Sequence, residues 1–380
     1  MCDRFCTNAC AAGPSAPDFR AETARPPGRC PARIVPPVRI WIDLSNSPHP
    51  LLFAPIARRL EALGHDVVVT ARDNAQTVQL ARRHWPGAAV IGDESPPGRA
   101  AKAASLAGRV RRLIGFARAA RPSVALSHNS YAQIVAARVA GVPAVTAMDF
   151  EYQPSNHLAF RLATTVLLPE VVPADVVRRQ GATPAKVVRY PGLKEEIYLG
   201  DFAPDGAVLE RVYGDDGPGG LTVVARTAPE RAIYHPHANL VFADVLRVLG
   251  DQPAVRCVVL ARHREQRAAV AGLGLANVRV PDRAVDARSL MYAADLVIGA
   301  GGTMTREAGL LGVPTFTMFA GRRPAVDAWL EERGLVRRLT DPAPVGRVQP
   351  RPGPPRTPDE LRERSRPGID AFVSACLAAA

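Results

Sequence analysis

The stretch ADLVIGAGGTMTREAGLLGVP (294–314) carries the strongest chemical signal in this 380-residue chain. An apolar strand over 295–299 runs into Gly-Ala-Gly-Gly, and a helix begins near Thr303. Gly301 and Gly302 let a ligand approach the backbone closely, and Thr303 is expected to cap the helix. The open amides and the dipole of a helix N-terminus favour an anion, typically a phosphate. Glu307, one turn further on, would repel phosphate but is suited to accept two hydrogen bonds from a ribose diol. The plain alternative is a tight strand-to-helix turn with a solvent-facing carboxylate.

The first half of the chain offers a second set of groups. His49 follows the strand VRIWIDL (38–44), at the strand end where open α/β sheets place ligands. An imidazole titrates close to neutrality, so it can take a proton from a hydroxyl. Asp43 and Asn46 flank it and would orient it or cap the next helix. His128, Asn129 and Tyr131 follow the strand 123–127. Asp149, Glu151, Asn156 and His157 follow the strand 144–148. Carboxylates beside histidine suit proton transfer or binding of sugar hydroxyls; caps and turn partners are the ordinary alternative. No tight His/Asp spacing dictates a metal site, and none is expected.

These residues need strands ending at one edge of a sheet. Strand-like runs at 38–44, 66–71, 88–91, 123–127, 144–148 and 165–169 alternate with helical stretches, a rhythm that specifies a parallel sheet with helices on both faces. A helix is expected to follow the loop 45–50, with Pro55 in its first turn. Residues 200–220, rich in Gly, Pro and Asp, read as a linker or loop. The alternation restarts with strands at 221–225, 256–261, 277–280, 295–299 and 315–319. The organisation is therefore a leader (1–37), a first α/β domain (38–199), a second (200–340), and a Pro-rich segment with a closing helix (341–380) that can cross back onto the first domain.

Composition narrows the classes. With 47% hydrophobic and 22% charged residues the chain is globular, and no apolar run is long enough to span a bilayer. Its net charge is +12, yet all but three of its 48 basic residues are arginine, the lysines being Lys102, Lys186 and Lys194. That bias reads mainly as a compositional trait of an Arg-, Ala- and Pro-rich chain. Cys2, Cys6, Cys10 and Cys30 sit in a Pro-rich leader with neither an apolar period nor a secretory pattern, read as disordered, with the cytoplasm as default location. The helix 99–121 carries seven basic residues and no acidic one, opposite an apolar face of Leu106, Val110, Leu113 and Ala117. It is a solvated face or a contact with an anionic membrane surface, which would place the protein peripherally at the inner face of a membrane. It has no interleaved aromatics, which argues against nucleic acid.

Four stretches together, WIDLSNSPH (41–49), DFEYQPSNH (149–157), YPGLKEEIYL (190–199) and GAGGTMTREAGLLGVPTFTMFAG (299–321), resemble the domain-of-unknown-function 354 family. Strand, Gly-Gly and Glu in the second of two α/β domains is also similar to the nucleotide-sugar site of GT-B proteins. Those include the peptidoglycan N-acetylglucosaminyltransferase and the non-hydrolysing UDP-N-acetylglucosamine 2-epimerases. The resemblance implies a GT-B-like α/β architecture, with two Rossmann-like domains whose parallel sheets face a central cleft. It gives Gly301, Gly302 and Thr303 to a diphosphate and Glu307 to the ribose. Arg226, after the first strand of the second domain, would grip the diphosphate, or is a surface arginine. His49 becomes the candidate base, with Asp149 and Glu151 beside it in the catalytic set, and Asn46 and His128 among the substrate-binding residues. The implied partner is a nucleotide-diphosphate sugar used as substrate, with no cofactor. The implied activity is glycosyl transfer in cell-envelope polysaccharide synthesis. Epimerisation of the same donor, or binding without catalysis, are the alternatives.

Overall fold

The structure, a computed structural model, describes residues 36–380 apart from 95, 215–218, 228–239, 262 and 284. The leader expected over 1–37, with its four cysteines, therefore lies outside the described residues except for its last two prolines. The apolar runs form strands as their composition demands. β1 (Arg39–Leu44) is buried from Ile40 onward. It pairs in parallel with β2 (Asp66–Ala71) on one side and β4 (Val124–His128) on the other. With β3 (Ala89–Val90), β5 (Ala144–Ala147), β6 (Thr165–Pro169) and β7 (Val187–Tyr190) they make a seven-stranded sheet of order β3-β2-β1-β4-β5-β6-β7. β7 is the one strand of this sheet that sequence reading missed. Its VVRY is short and only part-buried, so it lacks a continuous apolar run.

The second sheet repeats the plan. β8 (Leu221–Arg226), β9 (Val255–Leu260), β10 (Val278–Arg279), β11 (Leu296–Gly299), β12 (Thr315–Thr317) and β13 (Arg337–Arg338) are ordered β10-β9-β8-β11-β12-β13, all parallel. The edge strand β13, two exposed arginines, was also missed. In both sheets the strand order reverses beside the first strand, between β1 and β4 and between β8 and β11. At such a reversal neighbouring crossovers leave to opposite faces and open a crevice at the carboxyl ends of the strands.

The closing helix Pro358–Ala379 returns to the first sheet, as expected. Its Phe372 meets Phe53 and Tyr190 at ring-centroid distances of 6.5 and 5.3 Å. Arg364 donates to Glu196 at 2.8 Å. One apolar cluster runs from Ile42 and Leu126 through Ile197 and Tyr198 to Leu290, Ala308 and Leu311, so residues 37–380 form a single compact unit. No helix among the described residues is long and apolar enough to cross a membrane.

Three local expectations need correction. The first helix runs Pro48–Ala62, so Pro55 lies inside it and His49 falls in its first turn rather than in a preceding loop. Prolines at 48 and 50 favour that earlier start, because helix N-terminal amides need no intrahelical partner. Thr303 is the first helical residue, and Gly302 occupies the cap. The basic helix, Arg99–Ala120, buries Leu113 and Ala117 and half-buries Val110 as expected, but Leu106 is 48% exposed and Arg109 is only 5% exposed. The Arg109 side chain reaches inward to both oxygens of Asp43, at 2.9 and 2.8 Å. Asp43 also accepts from Thr70 (2.5 Å) and Ser130, so it is held by these groups and does not orient His49. Arg109 is thereby withdrawn from any membrane-facing surface, while Arg111 and Arg112 stay exposed.

A buried ion pair is costly to break from one side, because the remaining charge keeps its desolvation penalty without its partner. Replacing Arg109 by Met should therefore lower the unfolding free energy by about 3–5 kcal/mol. The double variant R109M/D43N should lose less than the sum of the two single changes. Denaturant titration of all four proteins checks this, and a loss below about 1 kcal/mol for R109M would place the pair among weak surface bridges.

Candidate functional site

The loops at the carboxyl ends of the two sheets meet. Asp149, just past β5, accepts from Arg306 Nη1 at 2.7 Å, and Arg306 stands on the helix that follows β11. Glu151, two residues further on, accepts from the backbone amide of Ala325 at 2.8 Å. Ala325 opens the helix after β12, Ala325–Glu332, so Glu151 serves one helix N-terminal amide across the gap between the sheets. Arg322 adds a cation–π contact over Tyr152, 3.8 Å from the ring centroid. The sheets therefore face one another across a cleft lined by these strand ends.

At its floor lies a buried ionic cluster. Asp149 Oδ2 is shared by Arg306 and Lys194. Arg306 also binds Asp327 at 2.6 Å, and Glu195 lies 3.4 Å from Lys194 and 3.5 Å from Arg306. Lys194 and Glu195 belong to the short helix Lys194–Leu199, all of whose residues are buried. Burial alone would raise the Asp149 carboxyl, but Lys194, His128 and Arg306 outweigh it and hold it well below the usual carboxylate range. Burial would likewise lower Lys194, yet Asp149 and Glu195 keep it protonated and raise it.

Two histidines adjoin this cluster. His128, the last residue of β4, has Nε2 3.3 Å from Asp149 Oδ1, long and off-line for a hydrogen bond. His49 stacks edge-on to it, ring centroids 5.4 Å apart. His49 Nδ1 accepts the backbone amide of Ser45 at 3.1 Å. Burial, reinforced by His128 and Lys194, holds His49 well below the ordinary imidazole value, so its ring is neutral near pH 7. Directly after His128, Asn129 takes a left-handed backbone with φ of 52° and donates its side-chain amide to Asn156 at 3.2 Å. Left-handed non-glycine residues at strand ends mark places where tertiary structure imposes the local geometry.

In the second sheet the Gly-Gly turn is formed as the sequence suggests. Gly301 and Gly302 have φ of 86° and 78°, which side-chain-bearing residues rarely adopt. A Cβ on Gly301 would strike the Phe319 ring at 2.9 Å, whereas one on Gly302 would meet nothing within 4 Å. The helix Thr303–Leu311 therefore opens beside a clear space. Glu307 is not solvent-facing: it is 5% exposed and accepts the Tyr198 hydroxyl at 2.7 Å. Burial pushes its carboxyl up to about 7, partly offset by that hydrogen bond. One of its oxygens is thus already engaged. Arg226 ends β8 at the strand reversal and donates to the Leu260 carbonyl at 3.0 Å.

The structure thus brings His49, His128 and Asp149 together, and sets Arg226, Gly301, Gly302 and Thr303 at the carboxyl ends of β8 and β11. The Asn46 side chain is exposed and accepts from Asn74 at 3.1 Å, while its backbone carbonyl accepts the His49 amide at 2.9 Å. Lys194, Tyr198 and Arg306 were missed by sequence reading. Lys194 had a signal, being one of three lysines in an arginine-dominated chain. Arg306 had none, since any arginine on a helix reads as surface.

Comparison with known proteins fits this geometry. The model of a family described as a protein of unknown function (DUF354) matches residues 38–345. The uncharacterized protein MJ0665 of Methanocaldococcus jannaschii is 26% identical over 309 residues, covering 80% of this chain and 88% of that one. UDP-GlcNAc 2-epimerase from Methanocaldococcus jannaschii superposes with a TM-score of 0.63 at 12% identity, over 86% of this chain and 98% of the other. HepE of Anabaena, solved in complex with UDP-glucose, gives a TM-score of 0.56 at 17% identity, over 90% and 94%. Identities this low speak to fold, and the fold shared with these epimerases and glycosyltransferases is GT-B. With its family matched over most of its length and two facing parallel sheets in the GT-B arrangement, the chain belongs to the DUF354 family.

Proposed function

We propose that the chain is an enzyme acting on a nucleotide-diphosphate sugar, and that it transfers the sugar to an acceptor hydroxyl in cell-envelope polysaccharide synthesis. The observation that carries this reading is the turn at Gly301 and Gly302, where two left-handed glycines open a helix N-terminus onto clear space beside a strand reversal. As the first amides of a helix, those from Gly302 to Thr305 have no partner within it and are available to an anion bound at the turn. In the proposed reaction they and Arg226 stabilise the charge that develops on the leaving diphosphate. Glu307 offers its remaining oxygen to a ribose hydroxyl. The nucleotide sugar is the substrate, and the reaction calls for no resident cofactor. The UDP-glucose in HepE and the resemblance to the peptidoglycan transferase make a UDP-sugar the natural first probe.

Epimerisation of the donor alone needs mobile acid–base groups on either side of one sugar carbon. Here Asp149 is bound by two cations, and one oxygen of Glu151 serves the Ala325 amide. That arrangement favours transfer. Turnover of a UDP-sugar without any acceptor, giving its epimer, would reverse the preference. Tight binding with no turnover in either assay would leave a binding protein.

Calorimetry with UDP tests the nucleotide site directly. Losing a hydrogen bond to a charged group costs about 1.5–3 kcal/mol, so Glu307→Ala should weaken UDP at least about tenfold. His49→Ala, in the other half, should change it only a few-fold. An E307A protein that binds UDP as tightly as the unmodified chain would show the site to be misplaced.

The same residue sets a pH dependence of stability. Because the folded carboxyl titrates near 7 rather than at its ordinary 4.5, the folded state binds the extra proton between those values. That stabilisation is complete below pH 4.5 and is lost as pH rises through 7. Glu307→Gln, which keeps an acceptor for Tyr198 and never ionises, should therefore be the more stable protein at pH 8. The gain should be about 2–4 kcal/mol and should vanish near pH 4.5. Unfolding curves that stay parallel across that range would contradict the burial of an ionisable Glu307.

A further inference from the structure

We propose that His128, rather than His49, takes the proton from the acceptor hydroxyl, through Nδ1, and that His49 serves as a hydrogen-bond donor through Nε2. This rests on the nucleotide-sugar reading above and assigns its acid–base groups. His49 has one ring nitrogen already committed. Its Nδ1 lone pair is occupied by the Ser45 amide, whose hydrogen can point nowhere else. A neutral imidazole carries one proton, so in His49 that proton sits on Nε2. Such a ring has only an N–H to offer at Nε2 and cannot act as a base through that atom.

His128 has the opposite surroundings. The nearest charged acceptor to its Nε2 is Asp149 Oδ1, at 3.3 Å. A carboxylate there draws the ring proton to Nε2 and leaves the lone pair at Nδ1. The angle is poor in this structure, but hydrogen bonds of catalytic groups are commonly slack before substrate binds. Asp149 is fixed for the task, because its second oxygen is gripped by Lys194 and Arg306. The carboxylate thus stays ionised and cannot turn away. Lys194 and Arg306 act as positioning residues, holding Asp149 so that Asp149 can hold His128. One ring supplies a lone pair and the other a proton within a centroid separation of 5.4 Å.

In the transfer, the acceptor O–H bond breaks and its proton goes to His128 Nδ1, giving an imidazolium balanced by Asp149. The acceptor oxygen forms its bond to the anomeric carbon of the sugar. The bond from that carbon to the diphosphate oxygen breaks, and its electron pair leaves on the diphosphate. His49 Nε2–H donates to a sugar or acceptor oxygen and takes no proton.

The test is nitrogen NMR on the intact chain labelled with 15N-histidine, read at a pH where both rings are neutral. Among the chain's eight histidines each of the two rings is assigned by the signals lost in its own variant, H49N for His49 and H128N for His128, with H49Q or H128Q replacing either variant that fails to fold. Both rings should be Nε2–H tautomers. Saturating UDP-N-acetylglucosamine should shift the His128 signals, and UDP calorimetry is run alongside. An Nδ1–H tautomer at His128, or at His49, overturns the assignment even if UDP binds, leaving the nucleotide-sugar reading intact. Unmoved His128 signals with bound nucleotide sugar overturn it as well. Absence of UDP binding removes the nucleotide-sugar reading itself, and the base assignment falls with it.

Discussion

The carboxylate of Asp149 is the point on which the cleft depends. It lies at the end of a central strand of the first sheet, yet its partners come from three elements: β4, the buried helix Lys194–Leu199, and the helix that opens at the Gly-Gly turn of the second sheet. A buried charge is tolerable only when it is paired and hydrogen-bonded on every side. The three elements therefore cannot be placed independently. Moving the second sheet relative to the first would expose Arg306 and strip Asp149 of a partner, at a cost of the order of a broken buried pair, about 3–5 kcal/mol. Glu151 at the Ala325 amide and Tyr198 at Glu307 repeat the same logic nearby, each tying one half to the other through a buried polar contact.

This constraint explains why candidate chemistry and architecture share residues. Arg306 and Glu307 are neighbours on one helix turn. The first faces the ionic cluster and the second faces Tyr198, so the helix that would hold a diphosphate is locked in register with the histidines across the cleft. Any ligand bridging the two halves meets groups already fixed in relation to one another, which reduces the ordering cost of binding. The closing helix contributes from the far side by clasping Glu196 through Arg364.

The strand-and-helix plan was legible because parallel strands buried on both faces are nearly continuous apolar runs. The Gly-Gly turn was legible because only glycine adopts its backbone readily. The exceptions, β7 and β13, are short edge strands, the first only part-buried and the second exposed, so neither carries a continuous apolar run. Of the site, His49, His128 and Asp149 could be placed together because each follows a strand, and strand ends in a parallel sheet converge. Their hydrogen-bonding states could not be read, since they depend on Ser45 and on Lys194, a contact set by tertiary packing. Arg109 shows the limit most clearly. It is one of seven basic residues on a helix without an acidic one, and nothing in its local sequence tells that it alone turns inward to Asp43.

The proposed reaction requires a nucleotide sugar between the sheets, with its diphosphate on the Gly-Gly helix and its sugar toward His128. A crystal structure of the chain grown with UDP-N-acetylglucosamine tests it most directly. The account predicts diphosphate oxygens within hydrogen-bond reach of the Gly302 and Thr303 amides, and the sugar ring against the His128–Asp149 side of the cleft. Density for the nucleotide at any other place on the molecule, or an empty Gly-Gly turn at saturating ligand, would contradict it.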